Sequence, residues 1–139
     1  WYSIGYHPWN TTAGRAAADE ALSVIERLAD DPRVVAIGEA GLDALRGADP
    51  SEQERVFLAQ AEIAERHRLP LIIHCVRRYG RLMELHRSFR PSVPWVVHGF
   101  RGKAELARQL TAAGIGVSLP VPRPDLAHLP PHLIYHDSD

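Results

Sequence analysis

Strand-like apolar runs alternate with amphipathic helical segments along almost the whole chain, joined by short turns, and this alternation leads to a parallel sheet flanked by helices. YSIGYH is a first strand, ended by Pro8. From Arg15 to Ala29 the residues Ala18, Leu22, Ile25 and Leu28 recur on one helical face, closed by Asp30, Asp31 and Pro32. Val34 to Gly38 form a buried strand. Ser51 with Glu54 reads as a capping box opening a helix striped by Val56, Phe57, Ala61 and Ala64, which ends near Pro70 where the strand LIIH begins. Tyr79 to Phe89 repeat the helical spacing through Leu82 and Leu85, Pro91 and Pro94 break it, and Trp95 to His98 make another strand. Lys103 to Ala113 are helical with Gly114 as cap, Ile115 to Leu119 read as a strand interrupted by Gly116, and a Pro-rich stretch leads through Leu133 to Tyr135 into the terminal HDSD.

Six strands are countable, whereas a complete (β/α)8 barrel has eight and usually takes about 250 residues. The expected fold is therefore α/β, a TIM-type barrel with only about six βα units present, in a single partial domain over residues 1–139. Such a sheet cannot close as written, and open strand edges predict a fragment, or a chain completed by a partner or a missing segment. The chain begins at Trp1 within strand-like sequence, without a basic region or a small-residue cleavage site.

Composition narrows the function classes. With 45% hydrophobic residues the chain can pack a core, and a formal charge of −1 gives no global pull toward nucleic acid or an anionic membrane, so any phosphate binding must come from a local patch. The lone Cys75 excludes an internal disulfide framework, and the apolar runs are too short to span a bilayer. A reducing, cytoplasmic setting is expected. Cys75 follows His74 in a strand and should face the opposite side as a buried, inert thiol.

Three strand-type runs end on residues that can bind metal: VVAIGEAGLD with Glu39, LPLIIHC with His74 and PWVVHGF with His98. A parallel barrel gathers its strand ends around one mouth, where these residues would converge. An isolated strand-end histidine is more often a hydrogen-bonded structural group, and Glu39 alone could be an exposed turn carboxylate. Two histidines at equivalent positions favour ligation. Imidazoles and carboxylates together suit zinc, manganese or magnesium. Arg77, Arg78, Arg101 and Lys103 follow the histidine-bearing strands; Arg77 and Arg101 are the better candidates for phosphate binding, and Arg78 and Lys103 read as solvated charges. His67, His86, His128 and His132 read as surface residues, His136 stands beside the terminal Asp pair, and Asp43 reads as supporting a ligand or the helix start.

YSIGYHPW, VVAIGEAGLD, QERVFLAQAEIAERHRLPLIIHC and WVVHGFRGK, in this order and spacing, resemble the TatD family of metal-dependent hydrolases, particularly its short bacterial members. The resemblance covers nearly the whole chain. It implies a (β/α)8 barrel that binds two divalent metal ions, Mg2+, Mn2+ or Zn2+, and hydrolyses phosphodiesters by metal-activated water, often as a DNase. By position Glu39 would bridge the two ions and act in catalysis, His74 and His98 would bind one of them, and His7 would contact the substrate. The family's late Asp ligand corresponds to Asp139, with a rival register that makes it Asp137. The family's His-x-His strand has no counterpart here, which predicts truncation at both ends and leaves two-metal catalysis dependent on the absent strand. Two other readings stay open: a related barrel hydrolase acting on an ester, amide or lactone, and a catalytically incomplete subunit working through a partner.

Overall fold

A computed structural model of the chain describes residues 1–137. Six strands, β1 (Tyr2–Ile4), β2 (Val34–Asp43), β3 (Leu71–Val76), β4 (Trp95–Val97), β5 (Gly116–Leu119) and β6 (Ile134–His136), form one sheet in sequence order. Every neighbouring pair is parallel. Four helices, α1 (Arg15–Leu28), α2 (Pro50–His67), α3 (Tyr79–Phe89) and α4 (Ala104–Ala112), supply the first four crossovers, and short 3-10 turns connect β5 to β6. Strand order that never reverses is the order of a barrel wall; a doubly wound sheet would reverse at a switch point. Among the described residues β1 and β6 do not pair, so the wall is open.

Alternation in β3 divides the sheet into two faces. Leu71, Ile73 and Cys75 are buried toward the helices, whereas Ile72, His74 and Val76 are half-buried on the other side. Cys75 lies in the apolar core, and burial pushes its thiol up to about 12, which makes it inert at neutral pH. The helical layer packs Phe57 of α2, Leu82 of α3 and Leu110 of α4 against the strands, all without solvent exposure. Trp95 stands at the centre of this layer, with Phe57 edge-on at 5.2 Å and His86 edge-on at 5.1 Å. His86 is therefore a core-packing ring rather than the surface residue its helical position suggests. The opposite face lines an open cavity of about 530 Å3 through Ser3, Ile72, Val96, Ser118 and Tyr135. Gly116 is required there, because a Cβ would come 2.7 Å from the Tyr135 ring.

Several local expectations shift by a few residues or change partner. Asp49, not Ser51, caps α2: its Oδ1 accepts from the Glu52 amide at 3.0 Å, and Pro50 takes the first helical position, which suits its fixed φ and missing N–H. Glu54 is thereby released from capping and bridges Arg78 at 2.8 Å and Arg81 at 2.8 Å, tying α2 to α3. Arg78 is thus a half-buried structural cation and not a solvated one. His67 likewise leaves the surface class, since its two ring nitrogens face Asp30 at 3.0 Å and Glu26 at 3.2 Å and clip α2 to α1.

The hydrogen bonds from Arg81 and Arg78 outweigh desolvation and hold the Glu54 carboxyl below its ordinary value. A depressed carboxylate stabilises the fold above its unfolded value of about 4.3 and loses that contribution as pH falls through the lower folded value. Glu54→Gln should therefore cost about 1–2 kcal/mol at pH 7, more than an exposed pair because Arg78 is left part-buried without its carboxylate. The gap from the parent should narrow below pH ~4, as read by urea unfolding at several pH values. A pH-independent gap would show that packing, not charge, carries the effect.

Candidate metal centre

Glu39 occupies an irregularity inside β2. Gly38 pairs with Ile72 and Ala40 with Ile73, so Glu39 is skipped in the register while β2 continues to Asp43. A bulge of this kind re-aims one side chain out of the ladder. Glu39 Oε1 lies 3.9 Å from His7 Nε2 and 3.9 Å from His74 Nδ1, and Oε2 lies 4.0 Å from His98 Nε2. Ligand atoms sharing one ion at bond lengths of about 2.0–2.2 Å stand roughly 3–4 Å apart, so a divalent cation fits among these groups. His7, Glu39 and His74 form a set whose ligand atoms all lie within 4.8 Å of one another.

The remaining ring nitrogens sort the three histidines. His74 Nε2 is 2.9 Å from Asp43 Oδ2, so that nitrogen carries the proton and Nδ1 turns its lone pair toward Glu39. His98 Nδ1 is 3.4 Å from Asp137 Oδ1, and its other ring nitrogen, Nε2, faces Glu39. His7 is the reverse case. Its Nδ1 accepts from the Trp9 amide at 3.2 Å, so in the neutral ring Nε2 bears the proton and faces Glu39 as a donor. Burial foremost, then His74, pushes the His7 pKa down, with Arg46 adding to this and Glu39 and Asp43 opposing it. The neutral ring is thereby favoured.

Asp43 is saturated. Its Oδ2 accepts from Trp9 Nε1 at 2.7 Å and from His74, and its Oδ1 accepts from the amides of Leu45 at 2.8 Å and Arg46 at 3.1 Å. Burial opposes ionisation of this carboxyl, yet the four donors win and hold it at about 2. With its lone pairs engaged it orients His74 and does not itself ligate. Two buried glutamines of α2 hold the surrounding loops. Gln53 Oε1 accepts from the Asp43 amide at 2.8 Å while its Nε2 donates toward the carbonyls of Asp43, Arg46 and Ala48. Gln60 Oε1 accepts from the Tyr6 amide at 2.8 Å, and its Nε2 returns a bond to the Tyr6 carbonyl at 3.1 Å, fixing the segment that carries His7.

A family model described as TatD related DNase matches residues 1–124. The chain belongs to the TatD-related DNase family. A 3'-5' ssDNA/RNA exonuclease TatD of Shigella flexneri is 40% identical over 121 residues, spanning 86% of this chain and 45% of the relative; the Escherichia coli K12 protein of the same name gives the same values. The chain thus spans about half the length of the curated relatives it matches. Among solved structures, a TatD homologue from Escherichia coli K12 superposes with a TM-score of 0.74 at 30% identity, covering 95% of this chain and 54% of that one. A TatD family hydrolase from Entamoeba histolytica gives 0.75 at 26%, covering 97% and 48%. The open wall is accordingly a partial (β/α)8 barrel of the TatD type.

Of the residues singled out by sequence, the TatD-type fold brings Glu39, His74, His98 and His7 together. Asp139 lies outside the described residues. Asp137 accepts a hydrogen bond from Ser118 and stands beside His98, lining the cavity with Glu39. Arg77 and Arg101 are exposed in the loops after β3 and β4, and neither forms an ion pair among the described residues. Gln53, Gln60, Ser118 and the Trp9–Asp43 bond escaped the sequence reading. The glutamines left one legible trace, as polar residues spaced seven apart within the apolar stripe of α2.

Proposed function

We propose that this chain carries most of the centre of a metal-dependent phosphodiesterase that cleaves single-stranded nucleic acid, in a cytoplasmic setting. The observation that carries the reading is the placement of His74 and His98, each with one ring nitrogen near a carboxylate, Asp43 at 2.9 Å and Asp137 at 3.4 Å, and the other facing a different oxygen of Glu39. Proteins that hold histidine for metal use this carboxylate–imidazole arrangement. The exonuclease names of its relatives support nucleic acid as substrate.

In this reading Glu39, His74 and His98 hold the ion, with Asp139 completing the set and Glu39 able to bridge a second ion if one binds. A divalent ion bound here supplies an activated water and stabilises charge on the phosphoryl oxygens. His7, kept neutral and bearing its proton on Nε2, donates to a substrate phosphate or leaving oxygen. Asp43 keeps the Nδ1 of His74 available, and Asp137 does the same for the Nε2 of His98. Arg77 and Arg101, exposed at the same end of the sheet, would meet more distant phosphates.

Incubation with Mn2+ or Mg2+ and a 3'-labelled or 5'-labelled single-stranded oligonucleotide tests the reading. A ladder that depends on the metal and disappears with chelator is expected. Turnover of a small carboxylic ester in place of the oligonucleotide would move the assignment to an ester hydrolase, and metal binding without either turnover would leave a binding subunit.

A further inference from the structure

Outside the metal set, one cation is mounted with more structure than a surface arginine needs. The Arg46 guanidinium lies over the Trp9 ring, its Cζ 3.6 Å from the ring centroid. Trp9 cannot swing away, because its Nε1 is bound to the saturated carboxylate of Asp43. The Arg46 backbone is held from both sides, its amide by Asp43 Oδ1 and its carbonyl by Gln53 Nε2 at 2.9 Å. Gly47 then turns with φ of 101°, and a Cβ there would come 2.6 Å from the Pro8 carbonyl, so the loop packs directly on the segment that bears His7 and Trp9.

This arginine also has no carboxylate. Arg55, Arg81 and Arg108 on the helices all pair with acidic neighbours, whereas Arg46 forms no ion pair within 4.0 Å among the described residues. Stacking occupies the flat face of a guanidinium and leaves its edge of N–H donors open, the geometry that recognises phosphate in a bidentate way. The Trp9 indole meets the rings of His7 at 4.8 Å and His74 at 5.6 Å, and these rings in turn face Glu39, so Arg46 stands two ring layers from that carboxylate.

We propose that Arg46, seated on Trp9, binds the phosphate next to the scissile one and so makes the site prefer substrates with at least two consecutive phosphodiesters. The inference rests on the phosphodiesterase reading above. The mount also explains why an exposed side chain of this length is worth ordering: a prepositioned guanidinium loses little rotamer entropy when the phosphate arrives.

The test compares dTpTpT, with two phosphodiesters, and dTpT, with one, binding to the Mn2+-loaded chain by calorimetry in the parent, Arg46→Gln and Arg46→Lys. Arg46→Gln should weaken dTpTpT about tenfold, change dTpT by no more than about twofold, and lower the salt slope for dTpTpT by about 1. Arg46→Lys, which keeps the charge but not the planar fork, should fall between. Mn2+ affinity and the thermal midpoint are measured in parallel and should hold. Equal effects on both ligands, or none, would overturn the assignment, as would a parent that binds neither. If the selective loss appears while no oligonucleotide is cut, Arg46 remains the contact to the second of two phosphates and the hydrolase reading falls. If Glu39-dependent cutting is seen and Arg46→Gln matches the parent, the reverse holds.

Discussion

Glu39→Ala should abolish both metal retention and nucleolytic turnover, with turnover falling roughly a thousandfold or more, since loss of even a supporting partner of a metal ligand costs about 10–100-fold. The two oxygens of Glu39 face two histidines from different parts of the sheet, His74 of β3 through Oε1 and His98, just after β4, through Oε2. Without it the two imidazoles have no shared anion to join them. Calorimetric titration with Mn2+, alongside oligonucleotide hydrolysis, reads both effects. The fold should survive, because the Glu39 side chain is partly exposed on the cavity side and comes no nearer than 3.9 Å to the ring nitrogens of His7 and His74. Metal affinity equal to the parent's would remove Glu39 from the centre.

The second large effect is expected in stability and reaches the site from behind. Gln53→Ala should lower the unfolding free energy by about 3 kcal/mol, because it strands the buried Asp43 amide and several loop carbonyls, each worth roughly 1–3 kcal/mol when unpaired and deprived of water. For a chain of this size that corresponds to a thermal midpoint lower by about 10 °C. The same change frees the Asp43–Arg46 loop, so Mn2+ affinity should also drop, by about tenfold, through a loosened His74. Denaturant unfolding and metal titration on one sample separate this from a purely local helix effect, which would lower stability and leave the metal affinity unchanged. Gln60→Ala offers the comparison: it loosens the His7 segment but not Asp43, so stability falls with little change in metal binding.

The elements were legible because they are local. Periodicity placed α1, α3 and α4 within a residue or so of their observed bounds, and the apolar runs placed all six strands. Boundaries failed where a local rule had a competitor. Ser51 and Glu54 satisfy the capping pattern, yet Asp49 with Pro50 satisfies it better, and Glu54 then finds two arginines on α3 that no local pattern reveals. His67 and His86 read as surface residues from their helical positions and are drawn inward by Glu26 on α1 and Asp30 just after it, and by Trp95 on β4.

The sequence by itself determined the parallel βα order and the strand-end placement of His74 and His98, as well as the family, because these depend on short-range periodicity and on motifs that survive in linear order. Glu39 stood out in the sequence for its chemistry, but its aim comes from a bulge in β2 that exists only through pairing with β3. Which ring nitrogen of each histidine faces Glu39 goes with the contacts of the other nitrogen to Asp43, Asp137 and the Trp9 amide. The mount that holds Arg46 over Trp9 likewise exists only where the segment after β1, the loop after β2 and Gln53 of α2 meet. A hydrogen bond or a stacked cation depends on angstrom-scale proximity between residues tens of positions apart, and that proximity is created by folding, not by the spacing of residues along the chain.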